Sequence, residues 1–122
     1  MTTSPYEQYK NNSVLTASGP ELTLMLYNGA IKFCNLAKEA IINKDIPKSH
    51  ENIVKAENII EELKLTLNKK YPISEEMDRM YTFINQLLIQ ANIKKDVQTL
   101  EDALSLIREF RDTWQEAMKK RN

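Results

Sequence analysis

Cysteine and histidine are almost missing: Cys34 and His50 are the only ones in 122 residues. A lone thiol forms no internal disulfide, and one thiol with one imidazole cannot supply the four ligands of a structural zinc site. That usage suits a reducing cytosol, and no metal or cofactor is expected. Net charge is missing too, because 17 Lys and Arg are offset by 17 Asp and Glu. Without bulk basicity there is nothing to grip a phosphate backbone, so nucleic acid is not an expected partner. No apolar run approaches the roughly eighteen residues of a membrane span, and residues 1–10 lack the basic start and apolar stretch of a cleavable signal. Membrane insertion is not expected. With only two glycines and four prolines, the chain has few of the tight turns that all-β folds need.

What is present points to helices. Hydrophobic residues make up 42% of the chain, enough for one small core, and the length fits a single domain. Pro5 lies in a leader, while Pro20, Pro47 and Pro72 each stand ahead of a segment with helical periodicity. A fourth boundary falls at residues 92–96, where Asn92, two lysines and Asp96 suit a cap for a helix that starts at Val97. Helices are therefore expected near 20–43, 47–69, 74–93 and 97–119, each about 30 to 35 Å long at 1.5 Å per residue. Connections of about three to five residues cannot cross such lengths, so sequential helices must run antiparallel. The expected fold is an all-α, up-down-up-down four-helix bundle over 19–120, preceded by a short mobile leader over 1–18.

Helix faces carry the functional argument. Met77, Met80, Tyr81, Ile84, Leu87, Leu88 and Ala91 share one side of the third helix, as Leu100, Ala103, Leu104, Ile107, Phe110, Trp114 and Ala117 do in the fourth. The second turns Ile53, Ala56, Ile60, Leu63 and Leu67 inward, but Val54 and Leu65 fall nearly opposite. In the first helix, at 100° per residue, Leu22, Met25, Leu26, Phe33, Leu36 and Ala40 form one stripe, and Leu24, Tyr27, Ile31 and Ile42 form another on the far side. A bundle core receives one of two opposed faces, so the leader, a second copy or a partner must cover the other. The stripe holding Leu24, Tyr27 and Ile31 is expected to be the outer one, although the two could exchange roles.

Catalytic chemistry is thin. His50, in Lys48-Ser49-His50-Glu51-Asn52, reads as solvated surface near the start of the second helix. The Lys or Gly that steadies a phosphoryl group in phosphotransfer bundles does not follow it. Cys34 lies in the apolar sector of the first helix and reads as a small buried hydrophobe. Gly29, isolated inside a helix, costs about 1 kcal/mol relative to Ala and is explained by close packing beside Leu22 and Phe33. The leader says more: Tyr6 and Tyr9 would meet on one face of a single helical turn, in a segment too short and polar to fold alone. Tyrosines so placed suit docking, since a large ring buries much area at low rotamer cost. A fixed strap over the bundle is the other reading of the same residues.

Several of these stretches together resemble the FliS family of flagellin export chaperones. Tyr9-Lys10-Asn11-Asn12-Ser13-Val14 resembles that family's Tyr-x-x-x-Ser-Val element, and Glu21-Leu22-Thr23-Leu24-Met25-Leu26-Tyr27-Asn28-Gly29-Ala30 its helix-one signature. Lys55-Ala56-Glu57-Asn58-Ile59-Ile60-Glu61-Glu62-Leu63, Met80-Tyr81-Thr82-Phe83, Leu88-Ile89-Gln90-Ala91-Asn92-Ile93-Lys94-Lys95-Asp96 and Trp114-Gln115-Glu116-Ala117 are similar as well, in order along almost the whole chain. The Leu-Tyr-x-Gly element and the Ala-Asn-x-x-x-Asp corner at their mutual separation are the specific part. One departure is visible: where the family has Pro three residues before the first leucine of helix one, this chain has Gly19, and Pro20 follows.

The resemblance implies a cytoplasmic binding protein with no enzyme activity and no cofactor. Its implied partner is flagellin, bound one to one by a chaperone that is monomeric alone. Apolar grooves would wrap flagellin's C-terminal segment, which is disordered until it joins a filament, prevent early polymerisation and deliver it to the flagellar type III export apparatus. The residues expected to bind flagellin are Tyr6, Tyr9, Leu24, Tyr27, Ile31, Val54 and Leu65. The alternative is a helical interaction or dimerisation module that uses the same outer stripe with another partner.

Overall fold

A computed structural model describes residues 19–120, which form four helices: α1 (Gly19–Ile42), α2 (Ile46–Leu65), α3 (Ile73–Lys94) and α4 (Val97–Lys120). Among the described residues there is no strand. The leader, with Tyr6 and Tyr9, lies outside them.

Two corners at one end of the bundle are built the same way. At the first, Lys44 takes a left-handed conformation with φ 61°, and the Asp45 amide donates to the Ala40 carbonyl at 2.8 Å. At the second, Lys95 has φ 52° and the Asp96 amide donates to Ala91 at 3.2 Å. Each is the six-residue closure that normally places glycine at the left-handed position. Each aspartate then caps the next helix. Asp45 Oδ1 accepts from the Lys48 amide at 3.2 Å, with Pro47 in the first turn. Asp96 accepts from the Gln98 amide at 3.1 Å and the Thr99 hydroxyl at 2.7 Å, and these bonds hold its carboxyl below the usual range. The cap expected at residues 92–96 is therefore Asp96, and its counterpart Asp45 does at the first corner what Pro47 alone was expected to do.

At the opposite end α2 stops at Leu65, four residues short of the expected 69. Local bonds outcompete the helix there. The Thr66 hydroxyl donates to the Leu63 carbonyl at 2.6 Å, and Asn68 Oδ1 accepts from the Lys70 amide at 3.0 Å. Leu67 still packs against the core from this turn.

Cross-helix bonds establish the antiparallel register. On one side of α1, Lys38 pairs with Glu101 of α4 at 3.1 Å, Arg111 donates to Asn28 at 2.8 Å, and the Trp114 indole donates to the Pro20 carbonyl at 3.0 Å. α2 and α3 are stitched by Lys64 to Thr82 at 2.9 Å, Asn85 to the Glu57 carbonyl at 3.3 Å, and Asn92 to His50 at 2.8 Å. Inside lie Leu26, Ala30, Phe33, Cys34 and Ala37 of α1, Ile53, Ile59, Ile60 and Leu63 of α2, Tyr81, Ile84 and Leu88 of α3, and Leu100, Leu104 and Ile107 of α4.

The expectation for Tyr27 requires correction: it is a core residue, 3% exposed. Its hydroxyl meets that of Tyr81 at 2.5 Å, diagonally across the bundle, and the Tyr81 ring meets Phe110 edge-on at 6.2 Å. Geometry explains the reversal. Leu26 and Tyr27 sit about 100° apart on the helix, and Ala30, Cys34 and Ala37 fall between them. These small residues form the centre of one wide buried sector, so the two stripes are its edges rather than opposed faces. Ile31 likewise packs against the core from its half-buried edge, as Leu36 does from the other. Leu24 is half-buried and Ile42 is exposed.

Two predictions test this framework. Lys44→Gly and Lys95→Gly should each stabilise the bundle by about 1 kcal/mol in urea unfolding, because glycine adopts the left-handed conformation without the penalty a Cβ incurs. Burial raises the pKa of both phenols, so Tyr27 and Tyr81 keep their protons and one donates to the other. Tyr27→Phe or Tyr81→Phe alone should cost about 1 to 3 kcal/mol by stranding the remaining hydroxyl, and the double variant should recover much of that loss.

Candidate docking surface

The ingredients of a catalytic site are not assembled among the described residues. Cys34 is enclosed, and burial pushes its thiol pKa up to about 12, which leaves it a hydrophobe rather than a nucleophile. His50 is exposed, and its Nδ1 accepts from Asn92 Nδ2 at 2.8 Å, while Asn92 Oδ1 accepts from Lys95 Nζ at 2.5 Å. This corner polar chain ties α2 to α3. No group of three or more His, Cys, Asp or Glu among the described residues is placed to hold a metal. A cavity of about 400 Å³ at the α2–α3 turn is lined by Lys64, Lys69, Asp78 and Arg79 among others, with neither His50 nor Cys34 in it.

What the surface does offer is apolar area on α2 and α3. The His50–Asn92 bond fixes the local register, and apolar residues flank it on both helices. On α2, Ile46 stands one turn before His50 and Val54 one turn after. On α3, Ile93 follows Asn92 and Ile89 lies a turn before Ile93. Ile93 is 77% exposed and Ile89 45%, with Ile46 exposed and Val54 half-buried beside them. Leu65, three turns beyond Val54 on the same side of α2, is 81% exposed. Leu65 stands about 28 Å from Ile46 at 1.5 Å per residue, with Glu57, Asn58 and Glu61 between it and Val54. The other flank of α3 carries exposed Phe83 next to half-buried Leu87, facing the side of α4 where Leu106 and Phe110 are half-buried against the core. Isolated exposed hydrophobes need no explanation, but contiguous ones on adjoining helices mark interaction surfaces.

The residues singled out from sequence divide among several places. Val54 and Leu65 share the outer side of α2, on the seam with α3. Leu24 and Ile31 share a side of α1, on the seam with α4 where Lys38 and Asn28 make their bonds. These are opposite sides of the bundle, so the structure does not gather the four into one patch. Tyr27 is inside, and Tyr6 and Tyr9 lie outside the described residues. Phe83, Ile89 and Ile93 escaped the sequence reading because α3 already has a complete inward stripe. Their signal is that they are surplus to it: Ile89 and Ile93, one turn apart, fall off the stripe on the same side.

Comparison with known proteins gives this surface a context. The family model described as "Flagellar protein FliS" matches residues 2–121. The Bacillus subtilis (strain 168) flagellar secretion chaperone FliS is 47% identical over 116 residues, covering 95% of this chain and 87% of its own. The protein of the same name from Vibrio cholerae is 33% identical over 112 residues, covering 89% and 82%. A solved structure described as a flagellar chaperone from bacteria superposes with a TM-score of 0.77 at 20% identity, over 94% of this chain and 95% of that one, which supports the fold. The near-complete match of both sequence and family model leads to one conclusion: the chain belongs to the FliS family of flagellar secretion chaperones, a family of chaperones rather than enzymes.

Proposed function

We propose that this chaperone is a cytoplasmic monomer that binds flagellin one to one through its disordered C-terminal segment, prevents early polymerisation and hands it to the flagellar type III export apparatus. The observation that carries the reading is the apolar strip of Ile89, Ile93, Val54 and Ile46 across α2 and α3, with exposed Leu65 as a separate apolar point farther along α2. Ordering a disordered segment costs about 2 to 5 kcal/mol of the gross interaction, so a client of that kind needs a long apolar track rather than a point contact. Two tracks flank α3, and a segment passing over that helix would reach both. Leu24 and Ile31 offer a smaller edge on the α1–α4 side, and Tyr6 and Tyr9 would act as docking anchors from the leader. No described helix is long and apolar enough to cross a membrane, which agrees with a carrier that meets its client in solution.

Titration calorimetry with flagellin, complete and lacking its C-terminal segment, tests the proposal together with light scattering. A monomer alone, a one-to-one complex with complete flagellin, and at least tenfold weaker binding to the truncated client are expected. Ile89→Asp with Ile93→Asp should weaken binding by a similar factor while leaving the unfolding midpoint nearly unchanged, since both side chains face solvent. Equal affinity for the two flagellins would refute the terminal-segment reading. A dimer that resists client addition would favour the dimerisation alternative.

A further inference from the structure

The cavity at the α2–α3 turn, about 400 Å³ in volume, collects polar groups that the bundle leaves unused. Leu67 and Lys69 line it from the turn, and Ser74, Glu75, Asp78 and Arg79 from the first turns of α3. No side chain caps that helix, because Pro72 stands at the cap position and has nothing to accept from the first amides. Ser74 lies in the uncapped turn and is 6% exposed, yet its hydroxyl, on the cavity wall, has no hydrogen-bond partner among the described residues. Elsewhere the chain bonds such hydroxyls to a carbonyl three or four residues back, as at Ser49, Thr66 and Thr82. Buried hydroxyls are normally bonded, so this one points to a ligand. Two cations are likewise spare. Lys64 is committed to Thr82 at 2.9 Å and Asp78 at 3.9 Å, but Lys69 and Arg79 make no ion pair with a described residue.

An uncapped helix N-terminus, two uncommitted cations and an open hydroxyl suit a negative group. The two carboxylates on the same wall narrow its kind. A phosphate dianion would set its charge against Glu75 and Asp78, whereas the end of a peptide brings a single negative charge and, beside it, an amide N–H that donates to a carboxylate. The cavity also lies on the docking side. Asp78, Thr82, Asn85, Ile89 and Asn92 follow at intervals of three or four residues along the side of α3 that faces α2, so the cavity and the apolar strip open on one seam. Ser74 precedes Ile89 by 15 residues, about 22 Å at 1.5 Å per residue, which an extended segment covers with about seven residues.

We propose that this cavity seats the C-terminal carboxylate of the client chain, held by Lys69, Arg79 and the Ser74 hydroxyl, while the last peptide N–H donates to Glu75 and the last side chain rests on Leu67. This rests on the reading that the α2–α3 strip docks flagellin's C-terminal segment, and it fixes the segment's register by the position of its end. The test is calorimetry on the full chain with two synthetic peptides of that segment, one ending in the free acid and the other in the carboxamide. The acid should bind the native chain about tenfold more tightly, the worth of one good charge-assisted contact, and that advantage should shrink at high salt. Lys69→Gln with Arg79→Gln should leave the unfolding midpoint nearly unchanged, since both side chains are exposed, and should abolish the difference between the peptides. Ser74→Ala should weaken the acid about threefold and spare the carboxamide. Equal affinity of the two peptides for the native chain would overturn the carboxylate seat while leaving the strip in place. Equal weakening of both by the Lys69 and Arg79 variant would overturn it too, because the cations would then be meeting another group of the client. Undiminished binding of either peptide by Ile89→Asp with Ile93→Asp would instead overturn the docking reading beneath it.

Discussion

Three residues separate α1 from α2 and two separate α3 from α4, and so little chain can reverse direction only through a left-handed residue followed at once by a helix cap. Lys44 with Asp45, and Lys95 with Asp96, supply that pair at both corners. Which residues meet between α1 and α2, and between α3 and α4, follows from it. The tight reversal at residues 95 and 96 makes α3 and α4 antiparallel with Tyr81 beside Phe110, whereas across the longer turn of residues 66–72 the α2–α3 register is held by Asn92 on His50 and Asn85 on the Glu57 carbonyl. The apolar strip depends on that α2–α3 register, since Val54 and Ile89 each lie about a turn from the His50–Asn92 bond that joins their helices. Lysine at the left-handed position stabilises less than glycine would, but the aspartate beside it closes one helix and opens the next.

The seams of the bundle are unequal. Around α1 the contacts are apolar at the centre, where Ala30, Cys34 and Ala37 let neighbouring helices come close, and polar only at the rim, where Lys38 meets Glu101 and Arg111 meets Asn28. Between α2 and α3 that order is inverted. Polar bonds stitch the seam from His50 to Lys64, and isoleucines lie outside it. The inverted arrangement suits a surface that awaits an apolar partner.

Much of this was legible in the sequence, and the misses have physical causes. Prolines and Asp96 locate helix starts to within a residue or two, because a missing amide and a capping carboxylate act locally. The end of α2 was harder, since Thr66 and Asn68 stop a helix through side-chain bonds that periodicity does not register. Tyr27 misled for a different reason: counting large side chains on α1 gives two stripes, and the alanines and Cys34 between them carry the information that both belong to one sector. Val54 and Leu65 stood out as off-stripe and are indeed outward. Ile89 and Ile93 gave the same signal, drowned by a complete core stripe on their own helix. Asn85 could not be read at all, because an asparagine's meaning depends on what register sets opposite it.

The central claim is that a client lies along α3 and its seam with α2. Isoleucine methyl spectra of the chain, recorded with and without flagellin, test this most directly, because Ile46, Ile89 and Ile93 sit outside while Ile53, Ile60, Ile84 and Ile107 are enclosed. The account predicts large shifts for the first three and small ones for the enclosed four. Shifts confined to Ile31 and Ile42 of α1, with Ile89 and Ile93 unmoved, would contradict it and place the client on the opposite seam.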